Sequence, residues 1–243
     1  MRGHTADDAF GRALLDHLER GVPGHHVLER DDGFVDVMPA AVYFGDMKVW
    51  TIAEASALDH VGSRVLDVGA GAGRATLELQ RRGVDVTALD VSPGAVEVCR
   101  RRGVGTTFTG TVDDLAAADP EPFDTFVYFG NNLGLMGSPD GAREMFGTLE
   151  RIGTPDAVVV GTMLDPYRTD DPAHLGFHER NRRAGRMAGR VTLRIRYREL
   201  TGPWFELLWV SADELGELLE PLGWAIRERW DQPPFYSVVL GRR

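Results

Sequence analysis

Val65-Leu66-Asp67-Val68-Gly69-Ala70-Gly71-Ala72-Gly73-Arg74 is the stretch whose pattern decides the fold. From Arg64 to Val68 a short apolar run with one acid has the pattern of a strand covered on both faces. Three glycines at alternate positions follow, and Leu77-Glu78-Leu79 then lies in a helical stretch. A chain passing from strand to helix through such a cluster must turn tightly. Its backbone N–H groups are expected to face a ligand at the helix N-terminus.

The same alternation continues on the C-terminal side. Val84 to Leu89 is a second strand, Pro93 to Arg102 a second helix, and Thr106-Thr107-Phe108 a third, weaker strand. Phe123 to Phe129 and Ala157 to Met163 complete the set. Strands alternating with helices require crossover connections and predict a parallel sheet. The core is therefore placed at residues 61–163. Before it, residues 1–60 read as helical (Phe10, Ala13, Leu14 and Leu18 share a face) with a break around Pro23-Gly24 and Asp31-Asp32-Gly33. After it, residues 164–210 change character. Arg190 to Arg198 alternates Val191, Leu193, Ile195 and Tyr197 with Arg190, Thr192, Arg194, Arg196 and Arg198, as a half-exposed strand does. Trp204 to Val210 reads as its antiparallel partner. Residues 211–243 hold a helix (Ala212 to Leu219) and two strands (Ala225 to Trp230, Ser237 to Leu240) around Pro233-Pro234.

The chain has 243 residues, a formal net charge of −10 and 43% hydrophobic residues. That is enough apolar material for a sizeable core. No apolar run has the length of a membrane span, and MRGHTADDAF lacks the apolar stretch of a signal peptide. Cys99 is the only cysteine, so no intrachain disulfide forms, and a cytoplasmic location is expected. The acidic balance argues against a broad grip on nucleic acid. Lys48 is the only lysine, which reads first as genome composition.

A dinucleotide turn has the spacing G-x-G-x-x-G, whose third glycine falls at position 74, and that position is Arg74. The observed acidic-x-G-x-G-x-G instead resembles the first motif of class I S-adenosylmethionine-dependent methyltransferases of the small-molecule type. The resemblance extends to Asp90 in Ala88-Leu89-Asp90-Val91-Ser92-Pro93, where the family places an acid on both ribose hydroxyls. Ser92 would cap the next helix, with Pro93 at its first position. Gly110-Thr111-Val112-Asp113-Asp114-Leu115 looks like the loop beside the adenine, with Thr111 where the family often has an acid. Either Thr111 or Asp113 would then meet the exocyclic amine, near the Val112 N–H. The stretch from Phe123 to Gly134 matches the fourth strand and its loop, with Asn131 toward the ligand.

The resemblance implies a Rossmann-like α/β three-layer sandwich, with a seven-stranded, mostly parallel sheet in the order 3-2-1-4-5-7-6 and an antiparallel last strand. An N-terminal helical lid and a small antiparallel insertion are added to it. It implies S-adenosylmethionine as cofactor, at the carboxyl ends of the first strands, with Asp67, Gly69, Ala70, Gly71, Gly73, Arg74, Asp90, Val91, Thr111, Val112, Asp113 and Asn131 around it. The acceptor would be a small molecule methylated on oxygen or nitrogen, met by residues 1–60 and 164–210. Methyl transfer depends mainly on positioning. A base is needed only where the acceptor must lose a proton, and His178 is the candidate, with Tyr43 as an aromatic lid residue beside Phe44 and Trp50. His4, His17 and His60 read as structural or solvated, and His25 and His26 lie in a turn-rich segment able to cover the site. The arginine face of 190–198 suits a carboxylate or phosphate, or is simply a solvated strand face. No histidine–cysteine cluster has metal-ligand spacing, so no metal is expected. Asp231-Gln232-Pro233-Pro234-Phe235 faintly resembles a signature of amino methyltransferases but lies between the last two strands. RNA or protein methylation, a non-catalytic nucleotide-binding regulator and a nicotinamide-dependent oxidoreductase are the alternatives.

Overall fold

The computed structural model describes residues 7–21 and 24–243. His4 and Pro23 lie outside the described residues. In chain order the elements are α1 (Ala9–Arg20), β1 (His25–Arg30), β2 (Val35–Pro39), α2 (Ile52–Ala57), β3 (Arg64–Val68), α3 (Arg74–Arg81), β4 (Asp85–Asp90), α4 (Pro93–Arg101), β5 (Thr106–Thr109) and α5 (Val112–Ala117). They continue with β6 (Phe123–Tyr128), α6 (Pro139–Ile152), β7 (Gly153–Leu164), α7 (Pro172–Arg183), β8 (Arg190–Tyr197), β9 (Leu200–Thr201), β10 (Phe205–Leu208), α8 (Ala212–Leu219), β11 (Trp224–Gln232) and β12 (Phe235–Arg242).

Seven strands form one sheet in the order β11-β12-β7-β6-β3-β4-β5, the order the resemblance implies. β3 pairs parallel with β4, β4 with β5, and β6 with β7, while β12 runs antiparallel to both β7 and β11. Among the described residues no helix is long and apolar enough to cross a membrane.

The chain divides into two compact units. The first takes the residues up to Trp50, Ser63–Pro120 and Leu193–Phe205. In it β3 reads as the sequence predicts: Val65, Leu66, Asp67 and Val68 are all buried. The turn-rich break in the N-terminal region holds a strand pair that the helical reading of residues 1–60 omits. β1 and β2 pair antiparallel from His25↔Pro39 to Glu29↔Val35. The local pattern is weak because β2 keeps Val35 and Val37 exposed, so no apolar/polar alternation marks it. On its other edge β1 pairs with β8, from Val27↔Arg196 to Arg30↔Leu193. The arginine-rich strand is thus built into the same small sheet as the N-terminal strands. α1 belongs to the core of this unit as well: Leu14 and Leu15 pack with Ala40, Ala72, Ala95 and Val98, and Ala9 and Ala13 pack with Tyr197.

The second unit takes Thr51–Gly62, Glu121–Thr192 and Glu206–Arg243. Phe123, Phe126, Val127 and Tyr128 of β6 and Val159, Val160 and Met163 of β7 are buried, as strands covered on both faces must be. α8 starts on a capping box in which Ser211 and Glu214 exchange side-chain and backbone hydrogen bonds. Pro233-Pro234 forms the turn between β11 and β12, with Gln232 opposite Phe235. The string that resembles an amino-methyltransferase signature is therefore a hairpin turn.

Candidate functional site

The site is built at the carboxyl ends of β3, β4 and β5, the edge at which open α/β sheets bind ligands. Between β3 and α3 the glycine loop turns with Gly71 at φ +57° and Gly73 at φ +77°, conformations that β-branched residues strongly resist. A Cβ on Gly73 would also stand 3.1 Å from both Cys99 Sγ and Val104 Cγ2, so the loop is pressed onto α4 and the chain that follows it.

Four of the loop's N–H groups are engaged within the chain, against the expectation that they face a ligand. Gly69 and Ala70 both donate to the Leu89 carbonyl (2.8 and 3.0 Å), Gly73 donates to Ala70 (2.8 Å), and Gly71 donates to Asp90 Oδ2 (2.8 Å). Two carbonyls on the other side are also engaged. Cys99 Sγ donates to Gly71 O at 3.3 Å, and Arg102 donates to Ala72 O. The turn is therefore stitched to the end of β4, and these four donors are not available to cradle a phosphate.

Asp90 ends β4 and is buried. Besides Gly71 N–H, its Oδ1 accepts from Ser92 N–H at 2.9 Å. Burial pushes its pKa up to about 6, against the two backbone hydrogen bonds that lower it, while the negative charges of Asp8 and Asp67 raise it further. Val91, next in line, is 66% exposed and apolar. Ser92 caps α4 through Ala95 N–H at 3.0 Å, with Pro93 in the first turn, as the sequence predicts.

Asp67 is buried too, and its oxygens turn inward. Oδ2 accepts from Thr76 N–H at 3.1 Å and from Thr76 Oγ1. Burial pushes its pKa up to about 6 against the pull of those hydrogen bonds and of Arg74. Asp67 thus fixes the first turn of α3 to β3. At the end of β5, Gly110 N–H donates to the Asp90 carbonyl at 3.0 Å. Thr111 and Asp114 then form a capping box for α5. The Thr111 hydroxyl both donates to Asp114 Oδ2 and accepts from Asp114 N–H, so its bonding capacity is largely taken by the helix start. Val112 and Asp113 occupy the first turn of α5.

Tyr43 comes to the loop from a short 3-10 turn at Ala40–Tyr43. Its Cδ1 lies 3.5 Å from where a Cβ on Gly71 would be. Phe10 packs edge-on to its ring at 5.0 Å, and its hydroxyl lies 3.3 Å from His26 Nε2. Burial and the charge of Asp90 raise the phenol's pKa, and the Arg74 charge opposes them. Arg74 itself stacks on the Trp50 ring at 4.7 Å.

The first unit thus gathers Tyr43, Asp67, the glycines, Arg74, Asp90, Val91 and the 110–113 segment. Asn131 and His178 belong to the second unit. Asn131 has φ +68° and donates its backbone N–H to Thr162 Oγ1 at 2.9 Å. His178 lies on α7, buried, with its ring 6.2 Å from that of Tyr167. The arginines of β8 face acids in both units. Arg194 makes a two-pronged pair with Glu29 (2.8 and 3.0 Å), Arg196 joins the same carboxylate at 3.2 Å, Arg198 pairs with Asp16 and Arg190 with Glu206. That is the arrangement of a neutralised strand face. Two residues of the site escaped the sequence, Asp8 and Thr76, while His26, read there as part of a segment able to cover the site, stands beside Tyr43. Only Asp8 had a local signal, an acid immediately before an amphipathic helix.

Residues 65–156 match the model of a methyltransferase domain family. The chain carries a class I S-adenosylmethionine-dependent methyltransferase domain. A ubiquinone biosynthesis O-methyltransferase of Xanthomonas euvesicatoria pv. vesicatoria is 42% identical over 73 residues, 28% of this chain and 30% of that protein. A magnesium-protoporphyrin O-methyltransferase of Rhodobacter capsulatus is 48% identical over 44 residues, 18% of this chain and 20% of that protein. The chain thus matches these curated relatives over less than a third of their length. Its fold extends further. A S-adenosylmethionine-dependent methyltransferase of Bacteroides fragilis, solved in complex with S-adenosyl-L-homocysteine, superposes with a TM-score of 0.82 at 24% identity, covering 98% of this chain and 95% of that one.

Proposed function

We propose that this methyltransferase transfers the methyl group of S-adenosylmethionine to an oxygen or nitrogen atom of a small molecule. The observation that carries this is Asp90: a buried carboxylate at the end of β4, already locked to the glycine loop through Gly71 N–H. A carboxylate accepts at both oxygens, which suits the two hydroxyls of a ribose. Val91 beside it supplies exposed apolar surface for an adenine. The engaged N–H groups of Gly69, Ala70, Gly71 and Gly73 suit a cofactor without phosphates, and Arg74 stands where a dinucleotide turn has its third glycine. The residues present therefore fit S-adenosylmethionine.

The bound cofactor supplies a methyl on a positively charged sulfur, already activated for displacement. What remains for the chain is to hold that methyl in line with the acceptor atom and to keep water away. Asp90 anchors, the stitched loop sets the position, and Tyr43 covers the loop. His178 is the candidate to take a proton from acceptors that must lose one. The O-methyltransferase names of the Xanthomonas and Rhodobacter relatives support oxygen and a small molecule. The net charge of −10 and the paired arginines of β8 speak against a polyanionic RNA acceptor.

Calorimetric titration tests the cofactor: S-adenosyl-L-homocysteine is expected to bind and NAD to give no heat. NAD binding without a homocysteine-adduct response overturns the proposal. Transfer of a labelled methyl from S-adenosylmethionine into small molecules, and not into RNA or protein, then separates an enzyme of this class from a non-catalytic binder.

The raised pKa of Asp90 gives this binding a pH dependence of defined sign. The ribose hydroxyls need the ionised carboxylate, and a proton on Asp90 removes acceptor capacity. Affinity for S-adenosyl-L-homocysteine is therefore expected to rise about tenfold between pH 5 and pH 7, through a midpoint near 6, and to level off above. Titrations at pH 5, 6, 7 and 8 check this, and a flat profile rules out Asp90 as the titrating anchor.

A further inference from the structure

Trp209 follows β10, and its indole Nε1–H is buried without a hydrogen-bond partner among the described residues, although the side chain as a whole is half-exposed. A tryptophan N–H withdrawn from water ordinarily finds an acceptor, and a buried donor left without one costs stability. Phenylalanine would fill most of the same space with no donor to satisfy. Packing alone therefore does not account for tryptophan here.

The surroundings are cut to fit the indole. Gly134 stands in the 3-10 turn Asn132–Met136 that follows β6. A Cβ on it would lie 3.2 Å from Trp209 Cδ1 and 3.4 Å from Nε1, so a bare glycine backbone covers the pyrrole edge. On the other side, Trp209 N–H donates to Gly189 O at 2.9 Å, and a Cβ on Gly189 would run into the Trp209 carbonyl. That Cβ would also stand 3.0 Å from Pro166 Cγ, in the turn that follows β7. Trp209 thus sits against the turn leaving β6 and, through Gly189, beside the turn leaving β7. Both turns lie at the carboxyl ends of their strands, where open α/β sheets take their ligands. The cover over the indole N–H is light. Gly134 spends its own N–H on Asn131 O and its carbonyl on Gly137 N–H, each at 3.0 Å. Gly130 and Asn131 before the turn (both φ +68°) and Gly137 after it (φ +65°) have left-handed backbone, and such bends can absorb a hinge movement.

The chemistry of the group it can take follows. A lone N–H donor matches an oxygen and rejects an ammonium, which has nothing to accept with. The half-exposed indole offers a flat apolar face, which suits a ring. We propose that Trp209 binds the methyl acceptor: the 132–136 turn moves aside, the indole N–H donates to an acceptor oxygen, and the indole face carries the acceptor's ring. The acceptor is accordingly a single-ring aromatic molecule with oxygen substituents. This rests on the small-molecule reading above.

Catechol, one ring with two oxygens, is the probe. Cyclohexane-1,2-diol keeps the oxygens without the flat ring, and benzylamine keeps the ring with an ammonium group. Each is titrated into protein saturated with S-adenosyl-L-homocysteine, and catechol is expected to bind more tightly than the other two. Trp209→Phe should weaken catechol binding by about 5- to 100-fold, the range for a buried donor that gains its acceptor, and leave S-adenosyl-L-homocysteine binding unchanged. Gly134→Ala, whose methyl would press on the pyrrole edge, should weaken catechol binding too, and it carries the test should Trp209→Phe fail to fold. The protein has five tryptophans, and the indole N–H signal that Trp209→Phe removes from the ¹H–¹⁵N spectrum should move downfield when catechol is added to the parent. Unchanged catechol affinity in either variant overturns the proposal, as does a Trp209 signal that stays in place. So does a loaded protein that fails to bind catechol, or that prefers benzylamine or the cyclohexanediol. A parent that does not bind S-adenosyl-L-homocysteine overturns the cofactor reading instead, an outcome distinct from all of these.

Discussion

Asp90→Ala is expected to weaken S-adenosyl-L-homocysteine binding by at least about 100-fold. Two contributions add. A hydrogen bond to a charged acceptor is worth about 1.5–3 kcal/mol, and two ribose hydroxyls lose theirs at once, which already amounts to two orders of magnitude. The loop then loses its tether. Gly71 N–H and Ser92 N–H, held at 2.8 and 2.9 Å, are left without their acceptor, at about 1–3 kcal/mol for each buried donor. The variant should therefore also unfold at lower urea concentration than the parent. Asp90→Asn keeps one acceptor oxygen and no charge, and should fall between. Comparing calorimetry with urea unfolding keeps the two effects apart. Binding by Asp90→Ala within threefold of the parent would show that the ribose is held elsewhere.

Asp90 also illustrates what was legible in the sequence. The motif residues are local: a strand must end, a glycine turn must follow, and an acid at the end of the next strand is fixed by β4 pairing with β3. Each of these leaves a mark within a few residues. The periodicity of β3, β4, β6 and β7 was clear for the same reason, since strands buried on both faces are continuous apolar runs. β1 and β2 left no such mark. β2 is an edge strand with exposed valines, and β1 is defined by its partner β8, about 165 residues away in sequence. The sequence does not show that the N–H groups of Gly69, Ala70 and Gly71 are taken, because their acceptors, Leu89 O and Asp90 Oδ2, come from the next strand. Thr76 meeting Asp67, His26 meeting Tyr43, and Asp8 meeting Ser92 are likewise tertiary contacts between residues with no fixed spacing. The arginine-rich strand was ambiguous in sequence because an alternating face looks the same whether a ligand or Glu29 and Asp16 answer it.

The contact of Asp8 with Ser92 leads to the largest expected loss of stability. α1 crosses α4 at two glycines, and between the helix starts lies one buried carboxylate. Asp8 Oδ1 accepts from Gly11 N–H (2.9 Å) and Ser92 Oγ (2.8 Å), and Oδ2 accepts from Gly94 N–H (2.8 Å). One acid thus satisfies donors at two helix N-termini, where the backbone dipoles favour negative charge. This is possible only because the backbones nearly touch. A Cβ on Gly11 would stand 2.6 Å from Gly94 Cα, and one on Gly94 would stand 2.7 Å from Gly11 Cα. In a helix, alanine is ordinarily favoured over glycine by up to about 1 kcal/mol. Here the sign must reverse. Gly11→Ala and Gly94→Ala each force the helices apart, and overpacking typically costs about 1–3 kcal/mol, with about 1 kcal/mol more for the disturbed cap. Each should lower the unfolding free energy by about 2–4 kcal/mol in urea titrations. The double variant should lose less than the sum, because one displacement makes room for both methyl groups. Since Ser92 N–H also holds Asp90 Oδ1, cofactor affinity should fall in the same variants without any change to a ligand-touching residue. A Gly11→Ala protein as stable as the parent would show that α1 does not pack on α4 as closely as these contacts require.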